Sequence, residues 1–456
     1  MRKYLTNNPR NMLFVIMAVA VLLRVGTSVF FFGDEVQQLP GTFDEVSYHN
    51  LAIRVLDGHG FSFGQPWWPG TDANEPTAHW SYLYTSFLIG LYAIVGRHAI
   101  VARLIQSVIV GILMPWLVYR LSWRVYHDDP QDDMFAAPNG LLRAHKIGLV
   151  VAAISAVYIY FFYYAASLIT ESFYILGILW TFDVAIGIVQ ARRPSFKQWV
   201  WLGVALGITV LLRQLILLFA PFMFAWMWWA RRPKLWLFAV PLAITALMML
   251  PWTLRNYNAF DTFVPLNTNS GHAFFWGNHP LYGTKFIPIL PTGQYYAMIP
   301  DELEAQDLNE AEMDSALLKL GIGFVVDDPV RYIRLSISRI PSYFMFWPSA
   351  ESSKVSNLSR VGSFGLFLPF IIFGLFLSFN YRFESWQARL AAPFTLFYLF
   401  ILVYTGMHVL TWTLVRYRIP VDAIFIIFAG LAIVDLVERI QLRRGYRVRE
   451  TAQQNM

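Results

Sequence analysis

Two adjacent carboxylates, Asp44 and Glu45, follow the first long apolar run of the chain almost directly. A carboxylate can accept the proton of an attacking hydroxyl group, and an acid at the start of a helix can also have a purely structural role. The segment that begins at Thr42 matches the capping box S/T-x-x-E, in which Thr42 and Glu45 satisfy free amides of the first helical turn. This capping box accounts for Glu45 and leaves Asp44 without a role, which makes Asp44 the candidate general base.

A second group of candidates consists of charged residues at the ends of apolar runs. A charge at the centre of a bilayer costs on the order of 2.5–3.5 kcal/mol, so charges within spans are commonly functional. With the orientation derived below, the following charges lie on the outer side together with Asp44: Arg103, Glu171, Arg213, Arg255, Arg416 and Arg418. Several guanidinium groups on one face favour an anionic ligand, for which a lipid phosphate is the natural candidate. Alternatively, arginines such as Arg103, Arg255 and Arg416 extend to the headgroups, and Glu171 is only an ion-pair partner.

Polar residues of the outer loops are candidates for contacts with a sugar or with the acceptor. They are His79 in the first outer segment and Asn267, Asn269 and His272 in a loop rich in Gly and Asn. The alternative for this loop is a polar turn without a ligand. The histidines lack a metal-ligand spacing such as H-E-x-x-H, and the chain has no cysteine. The sequence therefore predicts no required metal and no thiol chemistry.

The elements that must position these residues are membrane helices. Of 456 residues, 57% are hydrophobic and only 14% are charged, whereas soluble domains have roughly 25% charged residues. The sequence therefore predicts an all-α polytopic membrane protein with about ten transmembrane helices, each near the ~20 residues that a bilayer requires. The apolar runs lie at 12–32, 99–121, 147–165, 168–190, 199–213, 214–230, 235–253, 362–380, 390–408 and 417–437. The first run is too long for a signal peptide, so we expect it to be retained.

Basic residues are concentrated in alternate loops and predict the orientation of the chain. They are Arg2, Lys3, Arg10, Arg124, Arg143, Lys146, Arg192, Arg193, Lys197, Arg231, Arg232, Lys234, Arg382, Arg389 and the arginines from Arg439 to Arg449. By the positive-inside rule, both termini are predicted to be cytoplasmic, with an even number of spans. The net charge of +6 lies in these loops and does not indicate a nucleic-acid partner.

The apolar run at residues 80–96 would invert every later loop if it crossed the membrane, so we interpret it as an interfacial helix. The outer segments are then 33–98 and 254–361, within a single transmembrane domain, 1–437, that precedes a basic cytoplasmic tail, 438–456. In the second segment, Asp328 is a predicted N-cap, and an apolar stripe follows it at Val330, Ile333, Ile337, Ile340 and Phe344. This helix fits either the membrane interface or packing against the protein's own spans.

The order of several short motifs resembles one superfamily of membrane enzymes. FDE after the first span is followed by DGHGFSF, NEPTAHW, SLITES, LLRQ, PWTLRNYNAFDTFVPLNTNSG, FFWGNHP and RYRIPVD, over nearly the whole chain. The set is similar to the integral-membrane glycosyltransferases of the GT-C superfamily. Within it, the set is similar to the bacterial proteins that resemble dolichyl-phosphate-mannose–protein mannosyltransferases. The ordered set carries the resemblance, because each motif alone is common.

The resemblance implies the GT-C fold and a transferase that uses a polyprenyl-phosphate-linked sugar on the outer side of a bacterial plasma membrane. It implies that Asp44 is the catalytic acid, with Glu45 as a supporting acid, and that Arg213, Arg255 and Arg416 line the donor pocket. The acceptor would be a hydroxyl of a glycan, a lipid or a protein, and a protein is disfavoured because no added soluble domain is visible. Some GT-C relatives bind a divalent metal, which is the alternative to the prediction of no required metal.

We therefore expect arginines to bind the phosphodiester while Asp44 accepts the proton of a hydroxyl that attacks the anomeric carbon in line, with inversion. One alternative is a lipid or polyprenyl-linked-sugar transporter, or flippase. Such a protein should have its site near the midplane between two related halves, which this sequence does not show. Another alternative is a glycan polymerase or ligase, which uses a pyrophosphate-linked donor and which the sequence does not separate from a transferase.

Overall fold

Helices joined by short connections make up most of the described chain. The computed structural model describes residues 8–38, 42–127, 142–350, 352–381 and 383–454, with the backbone alone for 444–454. In chain order the helices are α1 Pro9–Thr27, α2 Asp44–Leu56, α3 Tyr82–Val95, α4 Ala99–Tyr126, α5 Arg143–Val157, α6 Ile159–Ala166, α7 Glu171–Gln190, α8 Phe196–Leu212, α9 Ala220–Arg231, α10 Ala239–Phe260, α11 Ser270–Asn278, α12 Thr292–Tyr296, α13 Asp301–Glu304, α14 Glu310–Asp327, α15 Pro329–Tyr343, α16 Lys354–Arg360, α17 Leu366–Phe379, α18 Trp386–Ala391, α19 Pro393–Leu410 and α20 Ile419–Gln454. Apart from isolated bridges, these ranges contain no strand.

The prediction of an all-α membrane protein is confirmed. Among the described residues, seven helices are long and apolar enough to span a bilayer, and α5 with α6 makes an eighth if the two form one span bent by 53°. Two of the predicted spans are short, since α8 has 17 residues and α9 has 12. They are separated by a break at Arg213, where the chain becomes extended and continues as the 3-10 turn Gln214–Leu218. The apolar runs are thus helical, but not all of them match the ~20 residues of a perpendicular span.

Two helices, α7 and α20, lie at the centre of the bundle. Most residues of their apolar spans are buried, whereas most residues of α1 and α10 are not. Small residues allow close contact between helices: a Cβ atom on Gly374 of α17 would lie 1.9 Å from the carbonyl oxygen of Phe428 of α20. Such close packing drives association in lipid, where hydrophobic attraction between helices is weak. The packing also sets the positions of the helix ends that carry the candidate site.

The bend between α5 and α6 frees carbonyl groups inside the bundle, and an arginine of α1 binds them. Arg24 is fully buried and donates to the carbonyl oxygen of Ser155 at 3.1 Å and to that of Ala156 at 3.5 Å. Non-helical backbone within a membrane must be satisfied by protein groups, and arginine can bind the last carbonyl groups of a helix. Arg24, which interrupts the first apolar run of the sequence, therefore acts as a C-terminal cap of α5.

The second outer segment has a hydrophobic core of its own. Helices α11, α14 and α15 contribute to a cluster of buried side chains that includes Phe275, Trp276, Leu317 and Leu335. Asp328 caps α15 as predicted, because its carboxylate accepts from the backbone N–H of Arg331 at 2.9 Å. Of the helices in this segment, only α15 was predicted from the sequence; α11 and α14, which precede it in the chain and pack against each other, were not.

Most of the apolar stripe of α15 faces away from the protein. Val330, Ile333, Ile337 and Ile340 are between 42% and 58% exposed, whereas Leu335 on the opposite side is buried. Phe344, the last residue of the stripe, is half-buried and packs against Phe364, and α15 also contacts the span α19, so the helix packs on the protein's own spans as well, as the second interpretation expects. An exposed apolar face flanked by basic residues fits a helix that lies in the membrane interface.

The first outer segment forms α2 and α3, which pack against each other. Helix α2 ends before Asp57 and Gly58, and Gly58 has a left-handed φ of 84° that favours glycine at a helix end. With 14 residues, α3 is shorter than a span. The interfacial position of α3, the orientation of the termini and the division at residue 437 stay predictions. The basic residues Arg2, Lys3 and Arg382 lie outside the described residues, as do the arginine side chains beyond residue 443.

Candidate functional site

Two carboxylates and two guanidinium groups form a continuous ion-pair network, which we call the Asp44 cluster: Asp44, Glu171, Arg213 and Arg416. Nη1 of Arg416 lies 2.7 Å from Oδ2 of Asp44 and 3.6 Å from Oε1 of Glu171. The same Glu171 oxygen lies 2.5 Å from Nη2 of Arg213. Glu171 thus joins the two arginines, and the structure brings together four of the residues that the sequence singled out.

Every member of the Asp44 cluster lies at a helix end. Asp44 and Glu171 are the first residues of α2 and α7, where the helix dipole stabilises a carboxylate. Arg213 follows α8 in an extended conformation, and Arg416 lies on the 3-10 turn Val415–Arg418 that precedes α20. These breaks allow side chains from distant parts of the sequence to converge.

Two threonine hydroxyl groups orient the arginines of the cluster. Oγ1 of Thr42 accepts from Nη1 of Arg416 at 3.0 Å and from the backbone N–H of Asp44 at 3.2 Å. Oγ1 of Thr170 accepts from Nε of Arg213 at 2.7 Å. Each guanidinium group is therefore held by both a carboxylate and a neutral oxygen, which restricts the direction of its remaining N–H groups.

The surroundings of Asp44 keep its carboxylate ionised. Burial raises the pKa of the Asp44 carboxyl, but Arg416 and Arg213 lower it by more, so the pKa lies below the ordinary value of 3.8. The side chains of Asp44, Arg416 and Arg213 remain 15%, 14% and 23% exposed, which gives a ligand access to the cluster. Nε of Arg416 and Oε2 of Glu171 have no hydrogen-bond partner within the described part of the chain. An ionised carboxylate beside incompletely used guanidinium groups can accept a proton and stabilise an anion.

Glu45 is a structural acid, but it is not the predicted helix cap. The N-cap residue of α2 is Phe43, without a side-chain cap, so the capping box with Thr42 is wrong. Instead, Oε1 of Glu45 accepts from Nη2 of Arg103 and from the backbone N–H of Leu168, in an ion pair whose side chains are both 1% exposed. A buried guanidinium group left unpaired costs about 3–5 kcal/mol, whereas a helix cap contributes only about 1 kcal/mol. Pairing Glu45 with the buried guanidinium group of Arg103 therefore contributes more free energy than capping the helix would.

The other predicted arginines are also held by internal partners. Arg255 donates to the hydroxyl of Tyr82 at 2.9 Å and to backbone carbonyl groups of the first outer segment. Arg418 donates to Asp422 at 2.9 Å, and neither side chain is exposed. Together with Arg103, these arginines have structural contacts outside the Asp44 cluster. Their assignment to the donor stays a prediction.

The predicted asparagines join the two outer segments next to the Asp44 cluster. Nδ2 of Asn267 donates to backbone carbonyl groups of the first outer segment, including that of Trp80 at 2.9 Å. Gln214, the residue after Arg213, donates to Oδ1 of Asn269 at 3.3 Å. These bonds position the loop, and a direct contact of either asparagine with a sugar stays a prediction.

The predicted histidines lie near each other between the outer segments. The rings of His79 and His272 are 6.4 Å apart, and Nδ1 of His272 lies 3.0 Å from Oδ1 of Asp314. Burial lowers the pKa of His79, and the carboxylate of Glu310 only partly opposes this effect, so neutral His79 predominates at neutral pH. His79 is therefore suited to hydrogen bonding in its neutral form, and contact of either histidine with an acceptor stays a prediction.

Glu310 is a buried carboxylate that was not predicted from the sequence. It binds residues of the first outer segment and so holds the two outer segments together. It accepts from the hydroxyl of Thr71 at 2.6 Å, from the backbone N–H of Ala78 at 2.7 Å and from the hydroxyl of Thr268. Glu310 is the first residue of α14, whose start is a capping box that begins at Asn309. That capping box is legible in the sequence and was the signal that could have located the helix.

No group of three or more His, Asp, Glu or Cys side chains in the described ranges is arranged to hold a metal ion. Within the Asp44 cluster, a guanidinium group binds one oxygen of each carboxylate, Arg416 on Oδ2 of Asp44 and Arg213 on Oε1 of Glu171, so two positive charges already balance the carboxylates. In this arrangement the residues do not fit a divalent cation. That no metal is required stays a prediction.

The architecture is similar to that of solved glycosyltransferases, although no family model and no curated protein matches the sequence. The oligosaccharyltransferase of Archaeoglobus fulgidus in the apo form aligns with a TM-score of 0.59 and 16% identity, over 97% of this chain and 52% of that one. AglB from the same organism, in complex with an inhibitory peptide and a dolichol-phosphate, aligns with a TM-score of 0.57 and 16% identity over 97% and 52%. The Archaeoglobus oligosaccharyltransferase in complex with Zn and sulfate gives 0.56 and 14% over 96% and 51%.

This similarity shows the fold. The chain spans about half the length of the oligosaccharyltransferase structures that it matches, and it has the GT-C fold that the sequence motifs predicted. The narrower resemblance to protein mannosyltransferase-like proteins stays a prediction.

Proposed function

We propose that this chain, which has the GT-C fold, is a glycosyltransferase that moves a sugar from a polyprenyl-phosphate-linked donor to an acceptor hydroxyl, with inversion at the anomeric carbon. The observation that carries the proposal is the Asp44 cluster, in which an ionised carboxylate lies beside two incompletely used guanidinium groups. These groups match the two needs of the reaction, which are a base for the acceptor hydroxyl and positive charge for the leaving phosphate.

Each member of the cluster has a part in the proposed reaction. Arg213 and Arg416 bind the phosphodiester oxygens through the parts of their guanidinium groups that remain exposed. Asp44 accepts the proton of the acceptor hydroxyl while the hydroxyl oxygen bonds to the anomeric carbon. The bond from that carbon to the phosphate oxygen breaks on the opposite side, and its electron pair stays on the polyprenyl phosphate. Glu171 touches neither substrate and positions the two arginines.

A lipid-linked donor agrees with the setting of the cluster among helices that are long enough to span a bilayer. AglB, whose structure contains a dolichol-phosphate, shows that a protein of this fold binds a polyprenyl phosphate. We infer for this chain a multi-pass protein of a bacterial plasma membrane, with both termini cytoplasmic and the Asp44 cluster on the outer side. In this proposal residues 1–437 form the transferase domain, residues 438–456 form a cytoplasmic tail, and the acceptor is a hydroxyl of a glycan, a lipid or a protein.

A transporter would require a broken helix that is open to its substrate near the midplane. The bend between α5 and α6 is such a break, but the buried side chain of Arg24 binds its free carbonyl groups. This observation favours a transferase over a transporter or flippase. A glycan polymerase or ligase shares the chemistry of the cluster and differs in the linkage of its donor.

The test compares donors and variants in one assay. The purified full chain in lipid nanodiscs is given undecaprenyl-monophosphate-linked or undecaprenyl-pyrophosphate-linked sugars together with a bacterial envelope extract that supplies acceptor hydroxyls, and the released lipid phosphate is measured by mass spectrometry. We expect release from a monophosphate donor by the wild type and by Asp57→Asn. Asp57 is a matched control because it lies at the other end of α2, in an exposed pair with Arg97. Asp44→Asn should release only the background amount.

Two results would contradict the proposal: wild-type release by Asp44→Asn, or release from pyrophosphate-linked donors alone. Mass spectra of glycolipids and envelope glycans, from cells with the wild type or with Asp44→Asn, would identify the sugar and its acceptor together.

A further inference from the structure

A cavity of about 310 Å³ lies beside α2, and no member of the Asp44 cluster lines it. The side chains around it include Asn50, Ile53, Arg54, Phe63, Gln65 and Trp67. Small-molecule sites usually have volumes of roughly 300–1,000 Å³, so this cavity suits one small cyclic group. The proposed donor contacts do not use it.

The side chains around the cavity combine an aromatic face with neutral amides. Trp67 is half-buried and stacks on the buried ring of Phe63 with 5.1 Å between ring centres, so Trp67 supplies the aromatic wall and Phe63 supports it. The negative face of such a ring attracts the polarised C–H groups on one side of a pyranose. Asn50 and Gln65 carry amides that both donate and accept, which matches the mixed hydrogen bonding of sugar hydroxyls. No acid lines the cavity.

The wall of the cavity is held in place without a ligand. The backbone N–H and C=O of Trp67 pair with those of Thr71 at 2.8 and 2.9 Å, and Nε1 of Trp67 donates to Oγ of Ser47 at 2.8 Å. Nη2 of Arg54 donates to Oδ1 of Asn74 at 2.9 Å and to Oγ of Ser62 at 3.2 Å, which holds the guanidinium group of this lining residue in place. A wall that is already ordered loses little conformational entropy when a ligand binds.

The cavity lies within reach of the proposed base. Asn50 is six residues after Asp44 on α2, which corresponds to about 9 Å along the helix axis and about 120° around it. Trp67 also packs edge-on against Phe43, the residue before Asp44, with 6.4 Å between ring centres. A sugar in the cavity and a second sugar at Asp44 can therefore belong to one short oligosaccharide.

We propose that this cavity binds a pyranose unit of the acceptor, and therefore that the acceptor is a glycan or a glycan-bearing lipid. Most side chains of a peptide acceptor have no ring that could stack on the aromatic wall, so a peptide would not use this surface of the cavity. This inference rests on the proposed glycosyltransferase function and names the acceptor class of the same site.

The first experiment measures binding without any donor. Saturation-transfer NMR on the full chain in nanodiscs uses a panel of methyl pyranosides and disaccharides, with Ser- and Thr-containing peptides as competitors. We expect saturable binding of a sugar, with a Kd that rises about three- to tenfold in Gln65→Ala and in Asn50→Ala, as expected for one lost hydrogen bond. Gln294→Ala is the matched control, because Gln294 is an exposed amide outside the cavity. It should bind as the wild type does.

The second experiment separates failure of this inference from failure of the proposed function. Sugar binding should be the same in Asp44→Asn as in the wild type, while transfer is lost. In Gln65→Ala the KM for a sugar acceptor should rise about three- to tenfold with kcat unchanged. No binding of any sugar, or a peptide whose binding the same variants weaken, would overturn the acceptor assignment alone. Wild-type transfer by Asp44→Asn would overturn the proposed function, whatever the binding result.

Discussion

Two neighbouring acids of α2 belong to ion-pair arrangements of opposite character. Asp44 shares Arg416 with Glu171, and the Asp44 and Arg416 side chains remain 15% and 14% exposed. Glu45 has Arg103 as its ionic partner, and both of these side chains are 1% exposed. A sealed pair can stabilise the fold but cannot meet a substrate, whereas the shared cluster can exchange a protein partner for a ligand. Adjacent acids in a sequence therefore need not have related roles, because their partners and their exposure decide what they do.

The largest expected effect is the loss of activity in Asp44→Asn. General base catalysis contributes typically ~10²–10⁴-fold, so kcat for transfer should fall by about that factor when the carboxylate is replaced by an amide. The melting temperature should change little, because Arg416 keeps its contacts with Thr42 and Glu171. The measurement is the initial rate of lipid phosphate release at saturating donor. A fall of less than about tenfold would remove Asp44 from the role of base.

Glu45→Gln should instead reduce stability. It leaves the buried guanidinium group of Arg103 without its carboxylate, so the free energy of unfolding should fall by about 3–5 kcal/mol. Equilibrium unfolding in mixed micelles measures this loss. The double variant Glu45→Leu, Arg103→Met should recover most of the stability, since it removes both charges together. If Glu45→Gln unfolded like the wild type but lost activity, the contrast between the two acids would fail.

A smaller effect is expected for Arg213→Lys. Lysine keeps the charge but cannot bind Thr170 and Glu171 at once as the planar guanidinium group does. We expect the KM for the donor to rise about tenfold, with a smaller change in kcat, because a charged hydrogen bond contributes roughly 1.5–3 kcal/mol. Arg97→Lys, in the exposed pair with Asp57, is the matched control. Equal KM values in the two variants would exclude Arg213 from donor binding.

The smallest expected shift is that of the acid limb of the pH profile in Arg416→Gln, measured relative to the variant's own rate at neutral pH, which is itself lowered by the loss of a proposed phosphodiester contact. In the wild type the pKa of Asp44 lies below 3.8, so the active ionised form, and the stability it adds, are lost only when the pH falls through that low pKa. Without Arg416, burial is the largest influence and raises the pKa of Asp44. The acid limb of kcat/KM should therefore move to higher pH in Arg416→Gln. Coincident acid limbs in the two proteins would contradict this coupling.

Much of the fold could be predicted from sequence because it depends on local patterns. Apolar runs and their lengths predict membrane helices, and the positions of Glu171, Arg213 and Arg416 at the ends of those runs mark them as costly charges. The pairing among these residues could not be predicted, since it depends on how ends of distant helices meet. Arg255 and Arg418 carry the same sequence signal as Arg213 and yet bind structural partners.

Glu45 and α14 show two further limits. The capping box predicted a local role for Glu45, but Glu45 binds Arg103, which is 58 residues away. Burial of Arg103 favours this ion pair over the helix cap. At α14 the local signal was sufficient, because the capping box at Asn309 is present in the sequence and forms in the structure. What the sequence does not contain is that Glu310, beside that cap, accepts three hydrogen bonds from other segments.

Carboxylates and guanidinium groups are equal in number in the Asp44 cluster, so their charges sum to zero before a donor binds. In the proposed reaction the phosphodiester adds one negative charge, and transfer leaves the total unchanged, because the proton that Asp44 gains offsets the charge that the phosphate gains. When Asp44 then loses this proton, the site carries one further negative charge and repels the polyprenyl phosphate. The low pKa that prepares Asp44 for the next acceptor would thus also expel the product of the last one.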